Sequence, residues 1–181
     1  VNFTTGFVGF NTNFGYYDWN LGPDLEAMLG CKVYVENDAN AAAYGEYIAG
    51  GAKGYKDAVV ITLGTGIGTA LIMDGVLVPN TELGHIILNS KHLDAEKYAA
   101  SSIKDIEGIS YKKWSKRLTK YYGLLEKYFN PDLIVIGGGV SRQADKFIPR
   151  IDIKTKVVPA TLRNEAGIIG AAYYASVKQQ H

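Results

Sequence analysis

An amide and a carboxylate stand side by side at Asn37-Asp38, directly after the alternating run Val33-Tyr34-Val35-Glu36 and directly before Ala39-Asn40-Ala41-Ala42-Ala43. Such a pair can hydrogen-bond a polyol and take a proton from one of its hydroxyls. Either residue type is also a favoured helix N-cap, so a purely structural role competes with the chemical one. A second cluster is Gly64-Thr65-Gly66-Ile67-Gly68-Thr69. Its glycines let the backbone approach a ligand closely, consecutive N–H groups can cradle an anion, and Thr65 and Thr69 add hydroxyls. The spacing is neither the dinucleotide fingerprint nor a Walker loop, and a tight turn alone would also use these glycines. Gly137-Gly138-Gly139 follows an apolar run and suits a phosphate at a helix entrance, or again only a tight turn. Glu82-Leu83-Gly84-His85 sets a carboxylate and an imidazole close together. Both can hydrogen-bond sugar hydroxyls, and a histidine in such a loop can equally be structural.

Local signals predict the elements that must hold these groups. The run Lys32 to Asn37 reads as a buried strand that delivers Asn37 and Asp38 to the mouth of a helix over Ala39 to Ala49. In open α/β sheets that is where ligands bind. Asp57 to Leu63 and Ala70 to Met73 read as strands on either side of the first glycine cluster, and Asp74-Gly75 signals a hairpin into Val76-Leu77-Val78. Residues 79–89 read as loop and 90–109 as partly helical. Ser110 can cap a long helix from Tyr111 to Phe129 whose apolar positions, Trp114, Leu118, Tyr121, Leu125 and Phe129, keep helical spacing. Leu133 to Ile136 is a continuous apolar strand, Ser141 to Phe147 a helix, Val157-Val158 a short strand, and a last helix starts near Asn164 or Glu165. Residues 1–22, rich in Gly, Asn, Thr and aromatics, read as turn and loop. A short helix from Asp24 to Leu29 is closed by Gly30. Strands and helices mixed in this order predict an α/β or α+β fold with at least one parallel strand–helix unit.

Composition narrows the function classes. The chain has 181 residues, 47% hydrophobic and 20% charged, with nineteen basic against eighteen acidic side chains. That balance argues against a nucleic-acid partner. A basic run on the Tyr111 helix (Lys112, Lys113, Lys116, Arg117, Lys120, Lys127) could attract a polyanion or be a solvated face. The single cysteine, Cys31, excludes an internal disulfide and a cysteine-built zinc site, and it fits a reducing, cytoplasmic setting. No apolar run is long enough to predict a membrane span.

Taken in order, these pieces resemble the ROK family of sugar kinases: Asn37-Asp38, Leu63-Gly64-Thr65-Gly66-Ile67-Gly68-Thr69, Glu82-Leu83-Gly84-His85 and Ile136-Gly137-Gly138-Gly139-Val140. Within it, Val76 to His85, Tyr111-Lys112-Lys113-Trp114, Asn130-Pro131-Asp132-Leu133-Ile134 and Ala160 to Gly167 look like the polyphosphate glucokinase branch. The resemblance implies an α/β, actin-like ATPase or ribonuclease H-like fold of two lobes. It implies a kinase moving a phosphoryl group from inorganic polyphosphate, ATP or both to the 6-hydroxyl of glucose. Asp38 would be the general base, and Asn37, Glu82 and His85 would hold other hydroxyls. Asn13, in Thr12-Asn13-Phe14-Gly15, would be a further sugar contact. Gly64, Thr65, Gly66 and Gly68 would form one phosphate loop, and Gly137, Gly138 and Gly139 would lie along the donor chain. Mg²⁺ would accompany the donor.

Two departures shape the remaining expectations. The cysteine-rich zinc motif of most ROK members is absent, as suits the polyphosphate branch, so neither zinc nor any other resident metal is expected. The family's first phosphate loop, an Asp followed by paired glycines, is absent too. The resemblance therefore predicts an incomplete N-terminal lobe at residues 1–37, a sugar- and phosphate-binding lobe at 38–164, and a closing helix at 165–181 with no face to bury against. A chain of this kind is expected to be inactive alone and to associate, as a homodimer or otherwise. The alternative to a kinase is a sugar-binding ROK remnant without phosphoryl transfer.

Overall fold

The structure, a computed structural model, describes residues 2, 4–11, 15–79, 81–89, 92–163 and 165–179. Its centre is a five-stranded sheet in the order β5-β4-β3-β6-β7. β3 (Ala58–Leu63), β4 (Ile67–Met73) and β5 (Val76–Val78) form an antiparallel meander, while β6 (Leu133–Gly137) and β7 (Lys156–Pro159) run parallel to β3. The meander closes at Asp74-Gly75, where both residues take positive φ (48° and 78°), the pair of left-handed positions a type I′ turn needs.

Strict two-residue alternation assigns the faces. Val59, Ile61 and Leu63 of β3 and Ile134 and Ile136 of β6 point into one cluster, and Ala58, Val60, Leu133 and Val135 into the other. Over the first face lies α5 (Tyr111–Phe129), capped by Ser110, whose Oγ accepts from Lys113 N at 3.3 Å, and closed by Asn130 in the left-handed conformation. It buries Trp114, Leu118, Tyr121, Tyr122 and Leu125 with Phe147. Over the second lies α2 (Asp38–Ala49), which contributes Ala43. The 90–109 region resolves into α3 (Glu96–Ala99) and α4 (Ser101–Ile106).

Several expectations are corrected. Residues 8–11 and 16–19 are not loop but an antiparallel pair, β1 (Val8–Asn11) and β2 (Tyr16–Trp19), followed by α1 (Leu21–Leu29) with Gly30 as its left-handed cap. Residues 32–37 are extended but not a strand: among the described residues no neighbour pairs with them, and alternation without a ladder partner does not make a sheet. β4 begins at Ile67, three residues earlier than predicted, so the first glycine turn is only Gly64–Gly66. The Gly139–Lys146 segment is a kinked 3₁₀ helix rather than an α-helix.

The last helix, α6 (Glu165–Lys178), does have a face to bury. It packs on α2 through Ala166, Gly170 and Tyr174, with Tyr174 against Tyr44 and Tyr34 at ring distances of 5.8 and 6.5 Å. The opposite side, including Ile168, is exposed.

Candidate functional site

Because β3 and β6 are parallel neighbours paired at Thr62 and Gly137, both glycine turns leave the sheet at one edge. The contact between them is tight. Gly138 (φ 81°) lies so close to the backbone of Leu63 that a Cβ there would collide with the Leu63 carbonyl. The Gly64–Gly66 turn is braced from outside by its carbonyls. Ser101 Oγ and Ser102 N donate to Gly64 O (3.0 and 3.1 Å), and Ser102 Oγ donates to Thr65 O (2.6 Å). Glu96 Oε2 accepts from Ile67 N at 2.8 Å and fills the space a Gly66 side chain would need. Among the described residues the N–H groups of Thr65 and Gly66 have no partner. A turn held by its carbonyls with its amides free is arranged to receive an anion.

Asn37 and Asp38 reach the same edge from the α2 side. Asn37 is the N-cap: its Oδ1 accepts from Ala39 N (2.8 Å) and Asn40 N (3.3 Å). The cap and a ligand role coexist, since the cap uses Oδ1 and leaves the Nδ2 donors without a partner among the described residues. Asp38 is the first residue of α2 and is exposed. Its neighbour Ala39 comes within 3.2 Å of where a Cβ on Gly68 would stand, which places the helix mouth against the glycine segment.

The Glu82–His85 turn arrives at the start of β4 too. Thr69 Oγ1 accepts from Leu83 N at 3.0 Å, and Gly84 approaches the Ile67 carbonyl so closely that no side chain fits there. Glu82 and His85 are both exposed. His85 Nδ1 lies 2.9 Å from Asp94 Oδ2. The hydrogen bond to Asp94, aided by the charges of Asp94, Glu96 and Glu82 and opposed by burial, raises the His85 pKa above its usual value. With Nδ1 committed to Asp94, Nε2 is the ring atom offered to a ligand.

The structure therefore brings Asn37, Asp38, Gly64, Thr65, Gly66, Gly68, Glu82, His85, Gly137, Gly138 and Gly139 to one sheet edge. Asn13 lies outside the described residues. Two hollows, of about 340 and 390 Å³, lie elsewhere. The first is lined by residues such as Thr5, Glu26 and Tyr34, the second by Arg142, Thr161, Leu162, Arg163 and Glu165.

The model of the ROK family matches residues 1–102, more than half of the chain and the stretch that holds Asn37-Asp38, Gly64–Gly68 and Glu82–His85. The chain belongs to the ROK family. A polyphosphate glucokinase of Mycobacterium tuberculosis is 44% identical over 173 residues, which cover 94% of this chain and 64% of that relative, so the chain spans less than two thirds of its length. The inorganic polyphosphate/ATP-glucomannokinase of Arthrobacter sp. strain KM superposes with a TM-score of 0.84 at 41% identity, over 97% of this chain and 69% of that one. A ROK hexokinase of Thermus thermophilus superposes with a TM-score of 0.81 at 25% identity, over 98% and 77%. The fold is the actin-like ATPase fold of ROK sugar kinases.

Beside this ROK pattern stand residues that sequence reasoning passed over. Asp94, Glu96, Ser101 and Ser102 fall in the polar stretch 90–109, which offers no motif, and their partners lie up to thirty-seven positions upstream. Glu46 sits in an alanine-rich helix and is 1% exposed. Its carboxylate accepts from Gly51 N (2.6 Å), Thr161 N (3.1 Å), Thr161 Oγ1 (3.3 Å) and Leu162 N (2.8 Å). In the basic run of α5, Arg117 is not a free charge: it donates to Tyr98 O and to both carboxylate oxygens of Glu107, and it stacks over the Tyr98 ring.

Proposed function

We propose that the protein carrying this chain is a glucose kinase that moves a phosphoryl group from inorganic polyphosphate or ATP to the sugar 6-hydroxyl. The observation that supports this most is the meeting, at one sheet edge, of an exposed carboxylate and two glycine turns. The relatives named above support the choice of donor and sugar. In this reading Asp38 accepts the 6-hydroxyl proton while that oxygen attacks the terminal phosphorus. The bond to the donor chain breaks, and the donor leaves one phosphoryl group shorter. The free amides of Thr65 and Gly66 would meet charge on the transferred group, and Gly137–Gly139 would lie along the rest of the donor. Asn37 Nδ2, Glu82 and His85 Nε2 would hold the other hydroxyls and set the reacting one in line. Mg²⁺ favours hard oxygen ligands and would arrive on the donor's phosphates, whose charge it neutralises. Among the described residues no three metal-ligating side chains cluster, so those oxygens would do most of the holding.

The test is Asp38→Asn in a coupled glucose phosphorylation assay with polyphosphate and with ATP. The amide keeps the shape but cannot accept the proton, so turnover should fall by about 10²–10⁴, with glucose binding by calorimetry retained. Near-normal turnover would reduce Asp38 to a first-turn residue. Absence of any phosphorylation by the wild-type protein, with glucose still bound, would favour the non-catalytic sugar-binding alternative.

A further inference from the structure

The hollow of about 390 Å³ takes no part in the site described above, yet it borders it. One wall is the 3₁₀ segment that starts at Gly139 and carries Arg142; Ser141 Oγ donates to Gly138 O at 2.7 Å and ties that segment to the glycine turn. The other wall is the stretch 160–163. Ala160 N donates to Ile136 O at 2.8 Å, and Ala160 Cβ is 3.8 Å from where a Cβ on Gly137 would stand. The hollow is thus built onto the strand whose end is the second glycine turn. Its volume lies in the ordinary range for small-ligand sites, about 300–1,000 Å³.

The second wall is held with unusual firmness for a surface turn. The buried Glu46 carboxylate takes the N–H groups of both Thr161 and Leu162, and the next residue, Arg163, adopts a left-handed φ of 53°. That conformation is uncommon for a long side chain and persists only where the surroundings impose it. Its result is an exposed guanidinium lining the same hollow as the exposed guanidinium of Arg142. Among the described residues neither has a hydrogen-bond or ion-pair partner. Glu165 also lines the hollow, so two arginines against one carboxylate leave its lining at +1.

We propose that Arg142 and Arg163 form a subsite for the distal phosphates of a phosphoryl-donor chain, those further from the transfer point than the Gly137–Gly139 turn. The inference rests on the kinase reading above and adds to it a place where a long phosphate chain and a nucleoside triphosphate would be told apart. Guanidinium forks match phosphate oxygens two at a time, and successive phosphates offer the two arginines separate partners. A nucleoside triphosphate runs out of phosphates and presents a ribose and base instead.

The test is binding by calorimetry to the protein carrying this chain, with long-chain inorganic polyphosphate, inorganic tripolyphosphate and ATP as probes. Arg142→Gln/Arg163→Gln should weaken long-chain polyphosphate about tenfold or more, and tripolyphosphate and ATP markedly less. Arg142→Lys/Arg163→Lys, which keeps the charges but loses the forks, should fall between. Glu165→Gln should tighten polyphosphate. Unchanged polyphosphate binding in the glutamine variant, with an unaltered thermal unfolding profile, would overturn the subsite and leave the donor reading standing. Equal losses for all three probes would overturn the distal assignment. Failure of the wild-type protein to bind polyphosphate while it phosphorylates glucose from ATP would overturn the donor reading and the subsite with it.

Discussion

On one face of the central sheet α5 brings Trp114, Tyr121 and Tyr122, all fully buried, with the Phe147 ring tilted against Trp114; over the other face α2 sets Ala43 on the sheet and brings Ala41 and Gly45 against α6. The first interface is filled by large side chains. The second, between α2 and α6, is made by leaving side chains out: a Cβ on Gly45 would strike the Ala166 carbonyl, and one on Gly170 would strike the Ala41 carbonyl. Bulk packing tolerates small shifts, because long side chains can adjust. Backbone-to-backbone contact does not, since carbonyl oxygens have nowhere to go. Asp38, proposed above as the base, begins the helix that is held in the stiffer way. The α2 end of the candidate site is thus positioned by close backbone approach to α6, while the glycine turns stand on the packed core and meet by one such approach of their own, Gly138 against Leu63.

Three substitutions would break or sharpen this contrast. The largest effect is expected on the bulky side. Trp114→Ala should cost about 3–5 kcal/mol in urea unfolding, more than its volume alone suggests, because Trp114 Nε1 also satisfies the buried carbonyl of Ala99 at 2.9 Å. A cost below about 1 kcal/mol would mean the core collapses readily and is not the firm floor argued here.

Gly170→Ala comes next. In an exposed helix this change would stabilise by about 1 kcal/mol. Here the new methyl would overlap the Ala41 carbonyl, and overpacking typically costs about 1–3 kcal/mol, so a net loss is expected despite the better helix former. A stabilised variant would show that α2 and α6 are not in backbone contact, and the contrast between the two interfaces would fail.

Asp94→Asn should have the smallest effect on stability and the clearest pH signature. The Asp94 hydrogen bond lifts the His85 pKa above 6.5. Burial pulls the Asp94 carboxyl upward, but hydrogen bonds from His85 and from the N–H groups of Glu96 and Lys97 outweigh it and hold it below 3.8. The histidine contribution to stability is fully present below pH 6.5 and is lost as pH rises through the raised His85 pKa. The aspartate contribution is present above pH 3.8 and is lost as pH falls through the lowered Asp94 pKa. Asp94→Asn should remove both dependences and return His85 toward 6.5 in an NMR titration. An unmoved His85 titration would mean Asp94 does not set its tautomer. A stability loss as large as that of Trp114→Ala would mean the bulky face depends on this polar pair.

Legibility in the sequence follows the range of the interactions. The β3–β5 meander, the Ser110 cap and the Asn130 stop of α5 could be read because each depends on residues a few positions apart. The extended 32–37 segment misled because alternation describes one strand and not its neighbour. The Gly45–Ala166 and Gly170–Ala41 contacts join residues more than a hundred positions apart, and a glycine in a helix carries no mark of what presses on it. Glu46 was hidden for a related reason: its partners are backbone amides of residues 51, 161 and 162, and backbone amides are the same in every sequence. The glycine turns and Asn37-Asp38 were recognisable as motifs, but the serines and the glutamate that brace them were not.

One consequence follows from the place of Glu46 on the same helix as Asp38. The two lie about two turns apart, or about 12 Å along the axis. α2 therefore works as a ruler with a carboxylate at each mark, one at the candidate site and one clasping the turn that carries Arg163. Substitutions along its exposed side leave the gauge intact. Inserting or deleting a single residue between the marks rotates one against the other by about 100°, so Glu46 would turn away from Thr161 and Leu162 even with every side chain still present. Over evolutionary time the exposed positions of this helix should change freely and its length hardly at all.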